Sequence, residues 1–252
     1  MTRAVSPAIA RCELTHLART AIDVHQAGAQ HRQYEEALRG LGCRVVSLPA
    51  EPDLPDSVFI EDAAVALDEL AVITRPGAAS RRGETAAVAA ALAPLRPLAF
   101  IEEPGTLDGG DVLRLGQRLF VGHSGRSNES GVAQLRALVA PYGYTVTAVP
   151  VSGCLHLKSA VTQVGEDAVL VHPGWLDPAV LGPVAVVAVA PDEPHAANGL
   201  LVGGRLLYPA SFPRTRARLE SRGVTVVPVD VSELQKAEGA VTCCSLVFTT
   251  SA

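Results

Sequence analysis

The sequence lacks the features that mark nucleic-acid-binding, membrane-spanning or secreted proteins. Its 21 Lys and Arg residues are outnumbered by 26 Asp and Glu, for a net charge of −5, and no basic run could track a phosphate backbone. The most apolar run, residues 184–190, is far too short to cross a bilayer. Residues 1–7 lack the long apolar core of a signal peptide. We therefore expect neither nucleic acid nor a membrane as a partner.

Cysteine and aromatic residues are also scarce. The five cysteines form no CxxC pair, and only Cys243 and Cys244 are close in sequence. This pattern predicts a reduced, cytoplasmic protein rather than a disulfide framework. Aromatic residues make up 4% and hydrophobic residues 48% of the 252 residues, so Ala, Val and Leu must pack the core of a globular chain.

What the sequence does contain is a unit that recurs with a period of roughly 45 residues. Each copy has an apolar run, a loop with polar residues, a second apolar run, a turn and a third run, and helical patterns lie between copies. The five copies begin at Cys43, Pro97, Tyr144, Val184 and Val224. The helical patterns cover residues 30–41, 84–95, 129–139 and 213–222, and hairpin turns are predicted at 116–117, 166–167 and 203–204.

A unit of this size cannot bury its own apolar face, so neighbouring copies must cover it. The pattern therefore predicts a closed radial array or a solenoid of strand, strand, helix, strand units. In a closed array the polar residues entering the second strand of each copy would converge on one axis; these are Asp62, Asp108, His156 and Cys243. The alternative is an ordinary doubly wound sheet with scattered loop polar residues. The regular position of the polar residues favours the closed array.

Cysteine, histidine and carboxylate are the groups of a nucleophilic active site. Cys243 would supply a thiolate, His156 would transfer protons, and Asp108 would orient the imidazole. Each also has a structural explanation, because cysteine and histidine are often core residues and Asp-Gly-Gly strings form tight turns. On the terminal strand that we expect, Cys243 and Cys244 would face opposite sides, so one could pack while the other lines the centre.

Charged residues elsewhere indicate a zwitterionic ligand. Asp56, Glu61 and Asp62 are carboxylates flanked by apolar residues, and desolvated carboxylates need a cationic partner that the sequence does not obviously supply. Arg81 and Arg126 could bind a carboxylate through their forked guanidinium groups. Solvated loops and surface arginines are the structural alternatives. Together the two sets predict a small ligand with a cationic head and a carboxylate tail.

Five segments of the chain resemble the dimethylarginine dimethylaminohydrolases in order and in spacing. They are residues 54–62, 74–82, 106–113, 155–159 and 242–245. The resemblance covers nearly the whole chain, and the segments are specific in combination. It implies the guanidine-modifying (pentein) superfamily, whose fold is a five-bladed pseudo-symmetric α/β propeller of ββαβ units. It also implies a single catalytic domain over residues 1–252.

The resemblance implies roles for particular residues. Cys243 matches the nucleophile, His156 the general acid and base, and Asp108 the carboxylate partner of that histidine. The substrate-binding positions implied are Asp56 and the backbone carbonyl of Leu14 for the α-amino group, Glu61 and Asp62 for the guanidinium, Arg81 and Arg126 for the carboxylate, and Ala237 for a backbone carbonyl near the substituted nitrogen. Residues 10–20 would form a lid. The resemblance implies no metal or organic cofactor, although zinc could inhibit by capturing the Cys243 thiolate.

The implied reaction is hydrolysis of Nω-methylated arginines to citrulline and methylamine or dimethylamine. An arginine deiminase is one alternative, but those enzymes carry an extra helical insertion and an aspartate two residues after the histidine, where this chain has Lys158. A non-catalytic binding protein on the same propeller is another alternative. A metal site of Cys243, Cys244 and His156 is a third, which adjacent strand cysteines disfavour. The preferred guanidine stays open, as does the choice between monomer and homodimer.

Overall fold

The computed structural model describes residues 1–250 and consists of short strands joined by turns and helices. The strands are β1 (Thr2–Arg3), β2 (Ser47–Leu48), β3 (Ala64–Ala66), β4 (Ala71–Ile73), β5 (Leu98–Phe100), β6 (Val112–Leu115), β7 (Arg118–His123), β8 (Thr145–Pro150), β9 (Val161–Gly165), β10 (Ala168–Val171), β11 (Ala185–Ala188), β12 (Leu200–Val202), β13 (Arg205–Pro209) and β14 (Thr225–Val229). The α-helices are α1 (Val24–Gly40), α2 (Thr85–Leu92), α3 (Glu129–Val139), α4 (Leu157–Ala160), α5 (Pro213–Glu220) and α6 (Ser232–Gln235).

Four three-stranded sheets share one topology. In each, an antiparallel hairpin is extended by a third strand that runs parallel to the second. The hairpins are β3–β4, β6–β7, β9–β10 and β12–β13, and the third strands are β5, β8, β11 and β14. The two-residue turns predicted at 116–117, 166–167 and 203–204 join three of these hairpins. The third strand of each sheet is the first apolar run of the next sequence copy.

The fifth unit is assembled from both ends of the chain. Strand β1 pairs in parallel with β2. On its other side, the Met1 amino group donates to the Leu246 carbonyl at 2.8 Å, and the Leu246 amide donates to the Met1 carbonyl at 2.9 Å. Helix α1 crosses between β1 and β2, as the helices do in the other units. The C-terminal segment thus takes the place of the first strand of this unit.

The expectation of a terminal strand carrying Cys243 and Cys244 is wrong, because residues 241–244 form a turn. The turn is stabilised by long-range hydrogen bonds: the Thr242 amide donates to the Asn198 side chain at 3.1 Å, and the Glu61 amide donates to the Cys243 carbonyl at 3.1 Å. His156 was expected to lie at the entrance of a strand, but helix α4 separates it from β9. His156 has extended backbone angles and lies directly before helix α4.

The predicted helices are present with shifted ends. The first begins at Val24 instead of 30, because the Asp23 side chain accepts hydrogen bonds from the amides of His25 and Gln26 and so caps an earlier turn. Helix α3 has the predicted bounds, with Asn128 capping its start through the Gly131 amide. Helix α2 is shorter than predicted, and so is α5.

The hydrophobic core lies between neighbouring units. Each of the five buried clusters combines residues from two adjacent units, and one of them joins Ile73 and Leu92 to Leu246 of the C-terminal segment. The clusters therefore form a continuous circle in which every unit is covered on both sides, as the repeat requires. Within residues 1–250, the structure has no helix that is both long and apolar enough to cross a membrane.

Candidate active site

Each unit contributes polar residues from the segment that leads into its first strand. These segments contain Glu61 and Asp62 in the turn Ile60–Ala63, Asp108 before the turn Gly109–Asp111, His156 before α4, Asn198 before β12, and Cys243 before the C-terminal segment. The sequence predicted this shared position for Asp62, Asp108, His156 and Cys243. The residues lie in turns and short helices ahead of the strands, rather than at the strand entrance itself.

His156 is held between two carboxylates. Its Nε2 lies 3.0 Å from Oδ2 of Asp108, and its Nδ1 lies 3.9 Å from Oδ1 of Asp62. A Cβ atom at Gly110 would lie 2.7 Å from Nδ1, so this position favours glycine. Burial lowers the pKa of His156, but the charge of Asp62 and the hydrogen bond from Asp108 outweigh it and raise the pKa to about 9. The imidazole is therefore a cation at neutral pH and can donate a proton.

Asp108 and Asp111 fix the position of this histidine. The amide of Gly77 donates to Oδ1 of Asp108 at 2.9 Å, which leaves Oδ2 for the imidazole. Asp111 accepts the amide of Leu157, the residue after His156, at 3.0 Å. The Asp108-Gly109-Gly110-Asp111 string thus holds the histidine at its ring and at its backbone.

Asp62 and Arg81 form a buried ion pair. An Arg81 nitrogen lies 2.5 Å from Asp62, and Glu84 takes two further hydrogen bonds from Arg81 at 2.8 and 3.0 Å. Burial raises the pKa of Asp62, but the charges of His156 and Arg81 outweigh it and hold that pKa well below its usual range. Asp62 is therefore an anion. The direct contact between Arg81 and a ligand carboxylate stays a prediction, because these carboxylates already engage its guanidinium.

Glu61 is bound by Lys158 on the axis of the ring. Lys158 Nζ lies 2.5 Å from one oxygen of Glu61, and the Thr242 hydroxyl donates to the other at 2.9 Å. Burial raises the pKa of Glu61, while the charge of Lys158 opposes the increase. The ion pair separates the site from a second cavity of about 450 Å³ on the opposite side of the ring. Sequence reasoning assigned no role to Lys158 beyond its difference from the deiminases.

The two adjacent cysteines have different environments. Cys243 is half-buried and lines the site, whereas Cys244 is fully buried and its thiol donates to the Ala240 carbonyl at 3.3 Å. Cys244 thus packs in the core and Cys243 faces the centre, although both residues lie in a turn rather than in a strand. Burial and then the nearby carboxylates, Glu61 first, raise the pKa of Cys243 to about 12. The thiol is therefore neutral at neutral pH.

The described residues contain one cluster with metal-ligand spacing, made of Asp62, Asp108 and His156, whose ligand atoms lie within 4.8 Å of one another. The charged imidazole and the Arg81 guanidinium already satisfy these atoms, so the cluster is better described as a hydrogen-bond network. Among residues 1–250, the alternative set of Cys243, Cys244 and His156 does not form a cluster with metal-ligand spacing.

The cavity around Cys243 has two lobes. The larger has a volume of about 280 Å³ and the smaller of about 20 Å³. Both are lined by Leu155, His156, Glu238, Gly239 and Cys243. Five further predicted residues line the small lobe: Asp56, Asp62, Arg81, Arg126 and Ala237. The remaining three lie elsewhere: Glu61 lines the large lobe, Asp108 lies behind His156, and half-buried Leu14 packs on the core.

The predicted lid is fastened at two points. The Glu13 amide donates to both oxygens of Asp56, at 3.1 and 3.3 Å. The amides of Thr15, His16 and Leu17 donate to the Glu238 carboxylate at 2.5 to 3.0 Å. Glu238 also has a positive φ of 58°, which is uncommon outside glycine. Sequence reasoning missed this residue, although an acid next to Ala237 in the segment before Cys243 was a usable signal.

No protein-family model matches the chain. The N(G),N(G)-dimethylarginine dimethylaminohydrolase of Streptomyces coelicolor is 45% identical, over 98% of this chain and 95% of that protein. The protein of the same name from Pseudomonas aeruginosa is 34% identical, over 90% of each chain.

Solved structures of similar fold include an enzyme of the same name. A cysteine-to-serine mutant of the Pseudomonas aeruginosa enzyme complexed with citrulline has a TM-score of 0.92 and 32% identity, and the match covers 98% of this chain and 97% of that one. The N-terminal domain of ArgZ, a cyanobacterial arginine dihydrolase, has a TM-score of 0.81 over 89% of this chain and 87% of its own, with 18% identity. That likeness concerns the fold alone. The five-bladed α/β propeller expected from the sequence is confirmed.

The two carboxylates beside His156, Asp62 first and then Asp108, make stability depend on pH. Because the pKa of His156 is raised from 6.5 to about 9, its contribution is complete below pH 6.5 and is lost as the pH rises through about 9. We expect Asp108→Asn to lower this pKa by roughly one unit or more, which corresponds to about 1.4 kcal/mol. NMR titration of the ring and urea unfolding at the two ends of this pH window would measure both effects. An unchanged titration would contradict the assignment; the exposed Asp192→Asn is the control.

Glu238 determines how firmly the lid is closed. Glu238→Gln removes the charge and one acceptor oxygen, so we expect hydrogen exchange at the amides of Thr15, His16 and Leu17 to accelerate by roughly tenfold or more. Exchange mass spectrometry of the lid peptide measures this. In Glu220→Gln, an exposed change on α5, lid exchange should stay as in the wild type. Equal acceleration throughout the core would show general destabilisation instead.

Proposed function

The chain belongs to the dimethylarginine dimethylaminohydrolase family, and we propose that it hydrolyses Nω-methylated arginines to citrulline and methylamine or dimethylamine. One observation carries the proposal beyond the name of its relatives: Cys243 and a cationic His156 line the same cavity, next to the anion Asp62. A nucleophile, a proton donor and a carboxylate are the groups that exchange of an amine on a guanidinium carbon requires.

Substrate binding depends first on the attraction between the cationic guanidinium and two carboxylates. The guanidinium lies between Glu61 and Asp62, whose carboxylates are buried and oriented by their own partners. Its positive charge next to Cys243 stabilises the thiolate and lowers the pKa that burial has raised. The nucleophile therefore forms only where a cation has bound, and the free thiol is protected from other electrophiles.

The first half of the reaction replaces nitrogen by sulfur. The Cys243 thiolate bonds to the guanidinium carbon and gives a tetrahedral adduct. The adduct collapses with cleavage of the bond to the methylated nitrogen, which takes the proton of the His156 imidazolium and leaves as a neutral amine. A thiouronium-type intermediate stays on Cys243, and His156 is now neutral.

The second half restores the free enzyme. Neutral His156 takes a proton from water as the water oxygen bonds to the intermediate carbon. Cleavage of the carbon–sulfur bond then releases citrulline, and the proton of the adduct hydroxyl passes to the departing sulfur, so Cys243 returns to the neutral thiol. The released amine takes up the proton that the thiol gave to solvent when the substrate bound. Asp108 keeps the ring in place through both halves, and its charge favours the protonated state with which each cycle begins. This scheme uses no metal or organic cofactor; zinc would inhibit it by binding the Cys243 thiolate.

The amino-acid end of the substrate occupies the small lobe under the lid. Asp56 and the Leu14 carbonyl bind the α-amino group, and Arg81 and Arg126 bind the carboxylate. Arg126 is 12% exposed, and one of its nitrogens lies 3.9 Å from Asp108, which leaves N–H groups for a ligand. Ala237 also lines the small lobe, and its carbonyl contacts the substituted nitrogen where the two lobes meet. The small volume of this lobe means that residues 10–20 move before a substrate enters.

Two alternatives are less well supported. An arginine deiminase would have an aspartate two residues after the histidine, but this chain has Lys158 at that position, 2.5 Å from Glu61. A non-catalytic binding protein would have no reason to keep the cysteine, the histidine and the carboxylates together. We place the enzyme in the cytoplasm, because all five cysteines are free, and we treat residues 1–252 as one catalytic domain that acts as a monomer or homodimer.

A citrulline assay tests the function. We expect asymmetric dimethylarginine and monomethylarginine to yield citrulline faster than arginine does. Cys243→Ser should lose activity by at least about a thousandfold, because it removes the nucleophile. Cys43→Ser, a half-buried cysteine outside the cavity, is the matched control and should retain activity. Equal turnover of plain arginine would favour the deiminase alternative, and an active Cys243→Ser would reject the covalent mechanism.

The ionisation of Cys243 gives an independent test. In the free protein the ultraviolet absorbance of the thiolate should develop only near pH 12, the value to which burial and Glu61 raise this pKa. A bound cationic guanidine should move the midpoint down by roughly one unit or more. Subtracting the titration of Cys243→Ser removes the signal of the other cysteines. Identical curves with and without the ligand would refute substrate-assisted ionisation.

A further inference from the structure

The large lobe ends in an aromatic wall that the proposed reaction does not use. The lobe extends from Cys243 and His156 to Trp175, His195 and Phe212. Trp175 is the only tryptophan in the sequence. A cavity bounded by the reacting groups at one end and by aromatic rings at the other is a candidate subsite for part of the substrate.

Trp175 is held rigidly. Its indole stacks on the His172 ring, with centroids 4.1 Å apart and planes at 24°, and its centroid lies 5.4 Å from that of His195. A Cβ atom at Gly153 would lie 2.8 Å from the indole, and Gly153 has a φ of +76° that favours glycine. The loop before His156 thus makes room for this ring. The wall is preformed, so a ligand would bind it without ordering it first.

The positions of the two guanidinium-binding acids orient a substrate. Glu61 lines the large lobe and Asp62 the small one, while Cys243 and His156 line both. A guanidinium that contacts both acids therefore spans the junction of the lobes. Its amino-acid end belongs in the small lobe with Asp56, so the nitrogen that His156 protonates points its substituents into the large lobe.

The size of the large lobe exceeds what methyl groups need. An apolar cavity of about 150 Å³ is enough to hold benzene. The large lobe has a volume of about 280 Å³, and Leu17, Cys154 and Phe212 line it besides Trp175. An aromatic face also attracts the C–H groups beside a cationic nitrogen. Two methyl groups would leave most of this volume to water.

We propose that the large lobe is a subsite for Nω-substituents larger than methyl, with Trp175 as the residue that selects them. The class of substrate is an arginine whose terminal nitrogen carries an alkyl or benzyl group, and the same chemistry releases that group as its amine. The inference rests on the proposed function, because the proposed reaction decides which nitrogen leaves and therefore which way its substituents point.

The test compares kcat/KM for Nω-methyl-, Nω-propyl- and Nω-benzylarginine, all measured as citrulline. We expect the wild type to accept the benzyl substrate within about tenfold of the methyl one. Trp175→Ala should lower the benzyl-to-methyl ratio by roughly tenfold or more, and Trp175→Phe should restore much of it. The control is Phe100→Ala, which removes a ring that is 51% exposed on β5, outside the cavity, and should leave the ratio unchanged.

Two results would overturn the subsite. Benzyl turnover more than about a hundredfold below methyl turnover would show that the lobe is closed to large groups. An equal loss for all three substrates in Trp175→Ala would show that the ring only supports the His156 loop.

A wild type that forms no citrulline from any methylated arginine would refute the proposed function separately. In that case a binding measurement tests the subsite without turnover. In Cys243→Ser, benzylguanidine should quench the fluorescence of Trp175 at concentrations at least about tenfold lower than methylguanidine does, and equal quenching would reject the subsite.

Discussion

Two main-chain hydrogen bonds between Met1 and Leu246 join the two ends of the chain, and the ring of units closes at this point. Cys243 lies three residues before Leu246, so the same pairing that completes the ring brings the thiol to the axis. The core provides the reason for closure, because an open ring would leave one face of two units uncovered.

The closed ring brings more acids than bases to its centre, and the resulting balance of charge determines the chemistry. Asp62 is compensated by Arg81, and Glu61 by Lys158. The neighbouring carboxylates keep His156 charged, but Cys243 is neutral, because burial and then the same carboxylates raise the pKa of its thiol. The site thus combines a charged imidazole with a neutral thiol. In the proposed reaction a cationic substrate supplies the positive charge that the thiolate needs, so substrate binding also activates the nucleophile.

Much of this arrangement could be predicted from the sequence, because local patterns report local structure. The period of the apolar runs predicted the hairpins and the ring, and the shared position of Asp108, His156 and Cys243 predicted their convergence. The local structure of Cys243 could not be predicted in this way. Its turn depends on Asn198 and Glu61, which are distant in sequence. The partner of Glu238 is a set of backbone amides more than 200 residues away, and backbone amides carry no sequence signal.

The two lobes explain how one site can enclose the amino-acid end of a substrate and still accept different substituents at the other end. The small lobe has about 20 Å³ and is covered by a lid whose amides bind Glu238, so it admits an amino-acid head only when the lid moves. The large lobe extends to the aromatic residues around Trp175, and the lid residues His16 and Leu17 line another part of it. Recognition of the common amino-acid end is thereby coupled to lid closure, while the variable end meets a rigid surface around Trp175. Because Glu238 lines both lobes, the lid closes around the guanidinium rather than over either end alone. Lid closure should therefore respond to the part of the substrate that all candidate substrates share.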